Sequence, residues 1–499
     1  MIGYLPNIEL KLYSCFYIIL LVIILYNVQS ISNSNLPDYN FMGKGWTFLN
    51  RKIDDYDVEW QTWKSFIRNY WYCFVMHSCV AEVFRVLKFK NISMLFFIIG
   101  SISCFIMYNT RFLLVVLLQT IISYIVTTMT KNKIHVWILA SFWLIILNIL
   151  KHESNIKIAT DVLDIDESKI HDFLVIFAWC LLKNISFNLE RCSGVYNKSD
   201  AKFKFSECLG YVFYFPTFFG GPHVIYKRYS DMLKGFNEIL PSRERYQSFI
   251  LNLLRFSFWF FLTELALHFF YVNSIVMNLD LKFLDSLSLF GVGYLMGQFF
   301  NNKYIIHYGV SITFGRLDGI DMPKPPKCIC RVHKYSDMWK WFDSGLYEFL
   351  LKYIYISLCE KKSPMWRKIF AGFTTFLFIY IWHGFFDYIL VWSLLNCVCI
   401  VLEKFVYFVI EGEGFERKAL KIVKTENNLH RLQAIIGTHV LIPAIISNLF
   451  FFGGLEVGWE FVRRIYLEGV FTYIKISSCI YFLYPIAEAI KRWEISNKK

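Results

Sequence analysis

Phe370–Tyr388 reads FAGFTTFLFIYIWHGFFDY, and shortly before it Met338–Ile356 reads MWKWFDSGLYEFLLKYIYI. The later stretch is apolar and meets no acidic or basic group before His383, while the earlier one carries Asp343 among aromatic and aliphatic residues. Runs of this kind belong in or against a lipid bilayer, where an ionisable side chain is costly to solvate and is by default a functional-site candidate. An acid on one hydrophobic segment and an imidazole on the next can face each other across a helical bundle.

The whole chain agrees with that reading. Its 499 residues are 56% hydrophobic and 19% aromatic, above the roughly 45–50% apolar share of soluble domains. We expect an all-α polytopic membrane protein of about 10–12 transmembrane helices, forming one membrane domain over residues 1–499. The formal net charge of +13 raises the question of nucleic acid. The lysines and arginines, however, fall in short loops between apolar runs and form no aromatic-interleaved patch, so no nucleic acid is expected as a partner. Basic loops are the mark of the cytoplasmic side, and attraction for an anionic cytosolic substrate is compatible with it. The thirteen cysteines have no tight spacing framework. Most lie in apolar runs, Cys73, Cys104, Cys180, Cys397, Cys399 and Cys479 among them, where a free thiol behaves as a small hydrophobe.

In chain order, Leu12–Val28 is expected to be a retained anchor, since Glu9 and Lys11 rather than a basic leader precede it and no small-residue cleavage motif follows closely. A polar segment with Asp54, Asp55, Asp57 and Glu59 leads to spans at Phe66–Phe84, Ser93–Asn109, Phe112–Met129 and His135–Leu150. The basic loops Arg85 to Lys90 and Lys131 to Lys133 enclose a hairpin and must share a side, as two true crossings require. An acidic loop (Glu153, Asp161, Asp164, Asp166, Glu167, Asp172) follows on the opposite side, and Phe173–Glu190 returns to Arg191, Lys198, Lys202 and Lys204. Glu207–Tyr229 is too short to cross and is broken by Pro216 and by Gly220, Gly221 and Pro222. A re-entrant loop lining a cavity is expected there, because irregular backbone at membrane depth must be covered by protein or face water. Phe249–Val272, Ser288–Ile306, Ile369–Trp382, Phe386–Leu402, Leu432–Phe452 and Phe471–Ile490 complete the spans. Trp341–Ile356 reads as amphipathic or re-entrant, and Glu403–Arg431 as a polar helix or loop. With Lys491, Arg492, Lys498 and Lys499 in the tail, both termini are expected to be cytosolic.

His383 has two readings. It can be an interfacial histidine in an aromatic belt with Trp382, Phe385 and Tyr388, or a general base, because an imidazole titrates near neutrality. Asp343 can orient or stabilise it, or be held in an ion pair.

Trp339–Ile356, WKWFDSGLYEFLLKYIYI, followed by YIWHGFFDYILVWSLLNCVCIVLE from Tyr380 to Glu403, resembles the core of the membrane-bound O-acyltransferase superfamily. There a buried histidine and a preceding polar residue, Asn in most members and Asp in some, act in acyl transfer from acyl-CoA. Asp343, RLDGIDMPKPPKC (Arg316–Cys328) and YVFYFPTFFGGP (Tyr211–Pro222) make the chain similar to the protein-palmitoylating branch, and the likeness runs from about Trp46 to EVGW ending at about Trp459. The resemblance implies helices and re-entrant loops around a central catalytic tunnel, with a core at about residues 205–460. It implies palmitoyl-CoA as co-substrate and, as acceptor, the N-terminal cysteine of secreted signalling proteins of the hedgehog type or EGF-like ligands, in the endoplasmic reticulum membrane among membrane lipids. It further implies His383 as base, Asp343 as second catalytic residue, Trp339 as gate of the acyl-CoA channel and Asn448 near the thioester. Cys328 corresponds to a haem iron ligand, although Cys330 offers a second thiol, and two free or palmitoylated surface thiols remain the other reading of the pair. Lys324, Lys327, Arg331, Lys334 and Lys340 can hold the CoA phosphates. A branch without the histidine exists, and this chain keeps it. A lipid acyltransferase of the same superfamily and a transporter or non-catalytic scaffold are the alternatives. Against a transporter, no pair of matching interrupted helices stands in the two halves.

Overall fold

The computed structural model describes residues 5–34, 42–193, 203–239 and 242–497. Lys198, Lys202, Lys498 and Lys499 lie outside them. The chain folds as α1 (Asn7–Asn33), a two-stranded antiparallel ribbon pairing Gly43 with Ile53, α2 (Val58–Val86), α3 (Ile92–Met107), α4 (Thr110–Thr130), α5 (Lys133–Lys151) and α6 (Glu153–Leu163). Next come α7 (Ile170–Cys192), α8 (Phe205–Val212), α9 (Tyr226–Gly235), α10 (Arg243–Leu267), α11 (Val272–Asn278) and α12 (Ser286–Leu317). The last part holds α13 (Tyr335–Phe342), α14 (Ser344–Leu350), α15 (Ile356–Leu358), α16 (Met365–His383), α17 (Asp387–Ile410), α18 (Glu413–Val423), α19 (Glu426–Val462) and α20 (Val470–Ser496).

Among the described residues eight helices are long and apolar enough to cross a membrane: α1, α4, α5, α7, α10, α17, α19 and α20. α3 is apolar but shorter, and α2, α12 and α16 are long helices that carry more polar side chains. Asparagine and aspartate start many of these helices: Asp57, Asn91, Asn109, Asn132 and Asp285 each accept hydrogen bonds from free backbone amides of the first turn. Such caps satisfy donors that neither the helix nor the lipid can satisfy.

α7 lies at the centre. It is buried on almost every side from Phe173 to Glu190, its polar residues included. Its charged and amide groups find partners inside the bundle: Lys183 Nζ donates to the Val212 carbonyl at 3.1 Å, Asn188 accepts from Thr127 Oγ1 at 2.5 Å, and Glu190 accepts from Tyr353 and is ion-paired with Lys352.

The segment expected to be re-entrant folds as α8, a short 3-10 turn at Phe215–Thr217 and extended chain, and its residues 208–226 are buried. Its two ends meet, for Tyr226 Oη donates to Glu207 at 2.8 Å. The chain therefore enters and leaves on one side. α8 crosses α3 in close contact: a Cβ on Gly210 would sit 2.3 Å from the Ser93 carbonyl oxygen, and one on Gly100 would sit 2.0 Å from that of Phe213. Small residues at a crossing are what let backbones approach where apolar burial gives no net advantage over lipid.

Several helices start or end away from the expected bounds, α2 at Val58 and α12 at Leu317 among them, and three of the differences have a visible polar cause. The segment around Trp341–Ile356 begins earlier, at Tyr335, and is broken at Asp343, which ends α13 and caps α14. α17 runs on to Ile410 because Glu403 is buried, accepting from the backbone amides of Tyr335 and Ser336. α19 starts at Glu426, six residues before the apolar run, because Thr425 caps it by accepting from the Asn428 amide.

Replacing Gly210 by Leu should destabilise the α3–α8 crossing by about 1–3 kcal/mol through overpacking. Gly414, where an added Cβ would meet nothing within 4 Å, is the control. Melting followed in detergent should fall for Gly210→Leu and hold for Gly414→Leu; equal melting of the two would contradict this packing.

Candidate active site

His383 is the last residue of α16, and the end of that helix is held from α5. Lys151 Nζ donates to the carbonyls of Trp382 and His383 at 3.0 and 2.8 Å. Asn148 donates to the Ile381 carbonyl at 2.8 Å and accepts from the Phe385 amide at 2.9 Å. The carbonyls that a helix leaves unpaired at its C-terminus are thus satisfied by one ammonium and one amide, and the cation stands at the favourable pole of the helix dipole. Gly384, at φ 131°, turns the chain out of the helix in a region that side chains disfavour. The imidazole sits in an aromatic frame, with ring centroids of Trp382, Phe451 and Trp392 at 4.8, 5.3 and 5.5 Å. No protein group among the described residues hydrogen-bonds its nitrogens, which face a cavity.

That cavity has a volume of about 810 Å³. His383, Asp343, Trp339 and Asn448 all line it. Asp343 uses both oxygens: Oδ1 accepts from the Leu346 amide at 2.8 Å as the cap of α14, and Oδ2 accepts from Tyr308 Oη at 2.8 Å. A break between two short helices is what brings this carboxylate to the wall. Trp339 Nε1 donates to Asn396 at 2.8 Å, and its ring packs against Phe376 and Trp392 at 5.1 and 5.7 Å. Asn448 donates to the Ala444 carbonyl at 2.9 Å and accepts from Trp392 Nε1 at 3.4 Å. One indole, Trp392, therefore links the frame of His383 to both Trp339 and Asn448. Away from His383 the cavity is walled by aliphatic and aromatic side chains of α1, α12, α19 and α20, including Leu20, Ile24, Phe290, Phe461 and Ile480.

Lys340 is exposed and stands outside the cavity wall. Its Nζ lies 5.0 Å from the Trp341 ring, around which Lys327 and Lys324 gather at 5.7 and 5.8 Å. Lys327, Arg331 and Lys334, all expected on the basic face, are ion-paired, the first two with Glu494 and the third with Glu411.

Cys328 is half-buried outside the cavity, whereas Cys330 lines it. The Cys330 sulfur accepts from Gln298 at 2.8 Å and lies 3.2 Å from the hydroxyls of Tyr17 and Tyr294. The hydrogen bond from Cys328, with those from the tyrosines and Gln298, brings the Cys330 thiol down to about 6, while the same contact and burial push the Cys328 thiol up. No group of three or more His, Cys, Asp or Glu able to hold a metal ion occurs among the described residues. Cys328 and Cys330 are half-buried sulfur donors of the soft type that could hold a haem iron.

Sequence reasoning does not single out Tyr308, His307, His171, Lys151 or Glu59, all of which line the cavity. The signal that could find some of them is α12, an apolar helix interrupted by Lys303, Tyr304, His307 and Tyr308 in close succession.

Residues 146–446 match the model of the MBOAT, membrane-bound O-acyltransferase family. The chain belongs to that family. As a membrane-bound O-acyltransferase it is an acyltransferase, and the matched stretch takes in Asp343 and His383 and ends two residues before Asn448. It is 32% identical over 498 residues to the protein-cysteine N-palmitoyltransferase Rasp of Drosophila melanogaster, covering 97% of this chain and 96% of that relative. It is 26% identical over 432 residues to the protein-cysteine N-palmitoyltransferase HHAT of Mus musculus, covering 85% of each chain. The protein-cysteine N-palmitoyltransferase HHAT-like protein of Mus musculus is 25% identical over 433 residues, covering 85% of this chain and 82% of that relative. For an acyltransferase the arrangement is serviceable: a histidine with free ring nitrogens, a carboxylate fixed in place, and an apolar lobe in one continuous space.

Lys151→Ala would leave two carbonyls at the end of α16 without their donor. A misplacement of about 1 Å costs on the order of 10²-fold in rate. We expect acyl transfer by Lys151→Ala to fall roughly ten- to a hundredfold, with Lys151→Arg recovering much of it, as read by release of CoA thiol.

Proposed function

We propose that this membrane-bound O-acyltransferase transfers palmitate from palmitoyl-CoA to the α-amine of an N-terminal cysteine on secreted proteins, in the endoplasmic reticulum membrane. The observation that carries the reading is the single cavity, which joins His383, Asp343, Trp339 and Asn448 to an apolar lobe. The names of two of the relatives that align along most of the chain favour a cysteine N-palmitoyl product.

The chemistry follows from the geometry. A palmitoyl chain in the apolar lobe gains about 0.8 kcal/mol for each CH₂ removed from water. The ammonium groups of Lys324 and Lys340 beside Trp341 can take the CoA phosphates as point charges. The acceptor arrives as an ammonium and loses its first proton to water. The amine nitrogen then attacks the thioester carbon, His383 takes the second proton as the C–N bond forms, and that proton passes to the CoA sulfur as the C–S bond breaks. Asp343 acts as the second catalytic group, its carboxylate held by Tyr308 and the cap of α14.

The ends of α5 and α16 and the starts of α2 and α7 lie together at the His383 side, and Lys133, Lys368 and Arg191 stand at the opposite ends of α5, α16 and α7. This supports a cytosolic donor side and cytosolic termini by the rule that basic loops stay in the cytoplasm, with the acceptor coming from the lumen. The acceptors are secreted proteins of the hedgehog type. A haem, if bound, would be held by Cys328 and would act outside the acyl-transfer steps, as a prop for the loop between α12 and α13.

Purified protein with labelled palmitoyl-CoA should acylate a peptide beginning with cysteine. His383→Ala should lower that rate by about 10²–10⁴-fold, the usual worth of a general base. Transfer to lysophospholipid or sterol instead of peptide would favour a lipid acyltransferase, and no turnover of any acceptor would favour a scaffold. Protein expressed with haem supplied should also give a Soret band that Cys328→Ser removes; a band that survives in Cys328→Ser and vanishes in Cys330→Ser would move the ligand to the second thiol.

A further inference from the structure

Among the described residues Glu59 is the one carboxylate besides Asp343 on the wall of the cavity, and the reaction scheme gives it no task. Oε1 accepts from Tyr304 Oη at 2.6 Å, and Oε2 lies 2.7 Å from Lys303 Nζ. Lys303 is already engaged, with its Nζ 2.8 and 3.1 Å from the two oxygens of Asp57. Asp57 also caps α2 by accepting from the Trp60 amide at 2.6 Å. One carboxylate thus suffices to pair the ammonium and start the helix. The second leaves the trio with one surplus negative charge, and it is the member open to the cavity: the Glu59 side chain is 34% exposed, that of Lys303 6%.

The surplus lies near the chemistry. Glu59 shares the wall of one cavity with His383, Lys151 and His171. Tyr304 and Tyr308 stand one turn apart on α12 with ring centroids 5.2 Å apart, one bonded to Glu59 and the other to Asp343. A polar ridge therefore runs from Glu59 to Asp343 along one helix. Low-dielectric walls focus the field of such a charge into the cavity, where it favours a cation. The palmitoyl chain is neutral, and CoA is anionic. The acceptor's α-amine, with an ordinary pKa of about 7.7–8.0, is the one reactant that arrives positively charged at neutral pH.

Taking N-terminal acylation as the activity, we infer that Glu59 binds the α-ammonium group of the incoming acceptor and holds it beside His383 before the proton is lost. Tyr304 and Lys303 fix the carboxylate, and the side chain stays partly exposed on the cavity wall.

Binding to the full-length protein in detergent distinguishes charge recognition from a structural role. Two peptides would be compared, one with N-terminal cysteine and one with the same sequence begun by 3-mercaptopropionyl, which keeps the thiol and lacks the amine. Wild type should bind the free-amine peptide at least about tenfold more tightly, and a ratio near one in wild type alone overturns the inference without any variant. Glu59→Gln, which keeps the hydrogen bond from Tyr304, should abolish the preference and raise KM for the peptide while KM for palmitoyl-CoA holds. Tyr304→Phe, which keeps the charge, should retain most of the preference. Peptide acylation with the preference intact in Glu59→Gln removes the role of Glu59 and leaves the N-acyltransferase reading standing. Failure of wild type to acylate either a free-amine peptide or any longer acceptor removes both.

Discussion

A histidine at the end of an apolar helix can offer its ring nitrogens to a substrate only if other groups take the carbonyls that the helix leaves behind. In water that need is trivial; inside a bilayer each unpaired carbonyl costs several kcal/mol. Lys151 and Asn148 meet it for α16, and in doing so they fix the end of the helix against α5. Asp343 obeys the same constraint in the opposite sense, since it is the group that satisfies the free amides where α14 begins. The two candidate catalytic groups are both located by how helix ends are closed.

That constraint explains what the sequence discloses and what it conceals. Long apolar runs announce spanning helices by length and composition, so the order of crossings from Leu12–Val28 to Phe471–Ile490 is legible. His383 and Asp343 are legible for the related reason that an ionisable group in such a run is conspicuous. Glu403 hides the end of α17, because a carboxylate that accepts two backbone amides in the interior looks, in one dimension, like the start of a loop. Lys151 and Glu59 are hidden in another way. Each sits at the boundary of a span, where charges are ordinary, and only the third dimension turns them toward the cavity. The break at Asp343 is also invisible, since nothing in MWKWFDSGLY demands that the helix stop there until Tyr308 is seen to hold the carboxylate from another helix.

The cavity is a product of irregular backbone as much as of helices. Gly220, on the wall, adopts φ 94°, and a Cβ there would come within 3.0 Å of the His307 ring. Gly221 approaches Trp179 as closely. Such chain is tolerated at membrane depth because α3, α7 and the segment's own aromatic side chains cover it. The buried α7, with Lys183, Asn188 and Glu190 each tied to a neighbouring element, supplies the firm wall against which this part of the chain lies.

The tie between Tyr226 and Glu207 has a topological corollary. A stretch that dips into the bundle and returns to where it began adds no crossing of its own, so it leaves the direction of the helices that follow unchanged. A change in the contour of this inner hairpin, and with it of the chamber it borders, would therefore not invert any part of the polypeptide downstream.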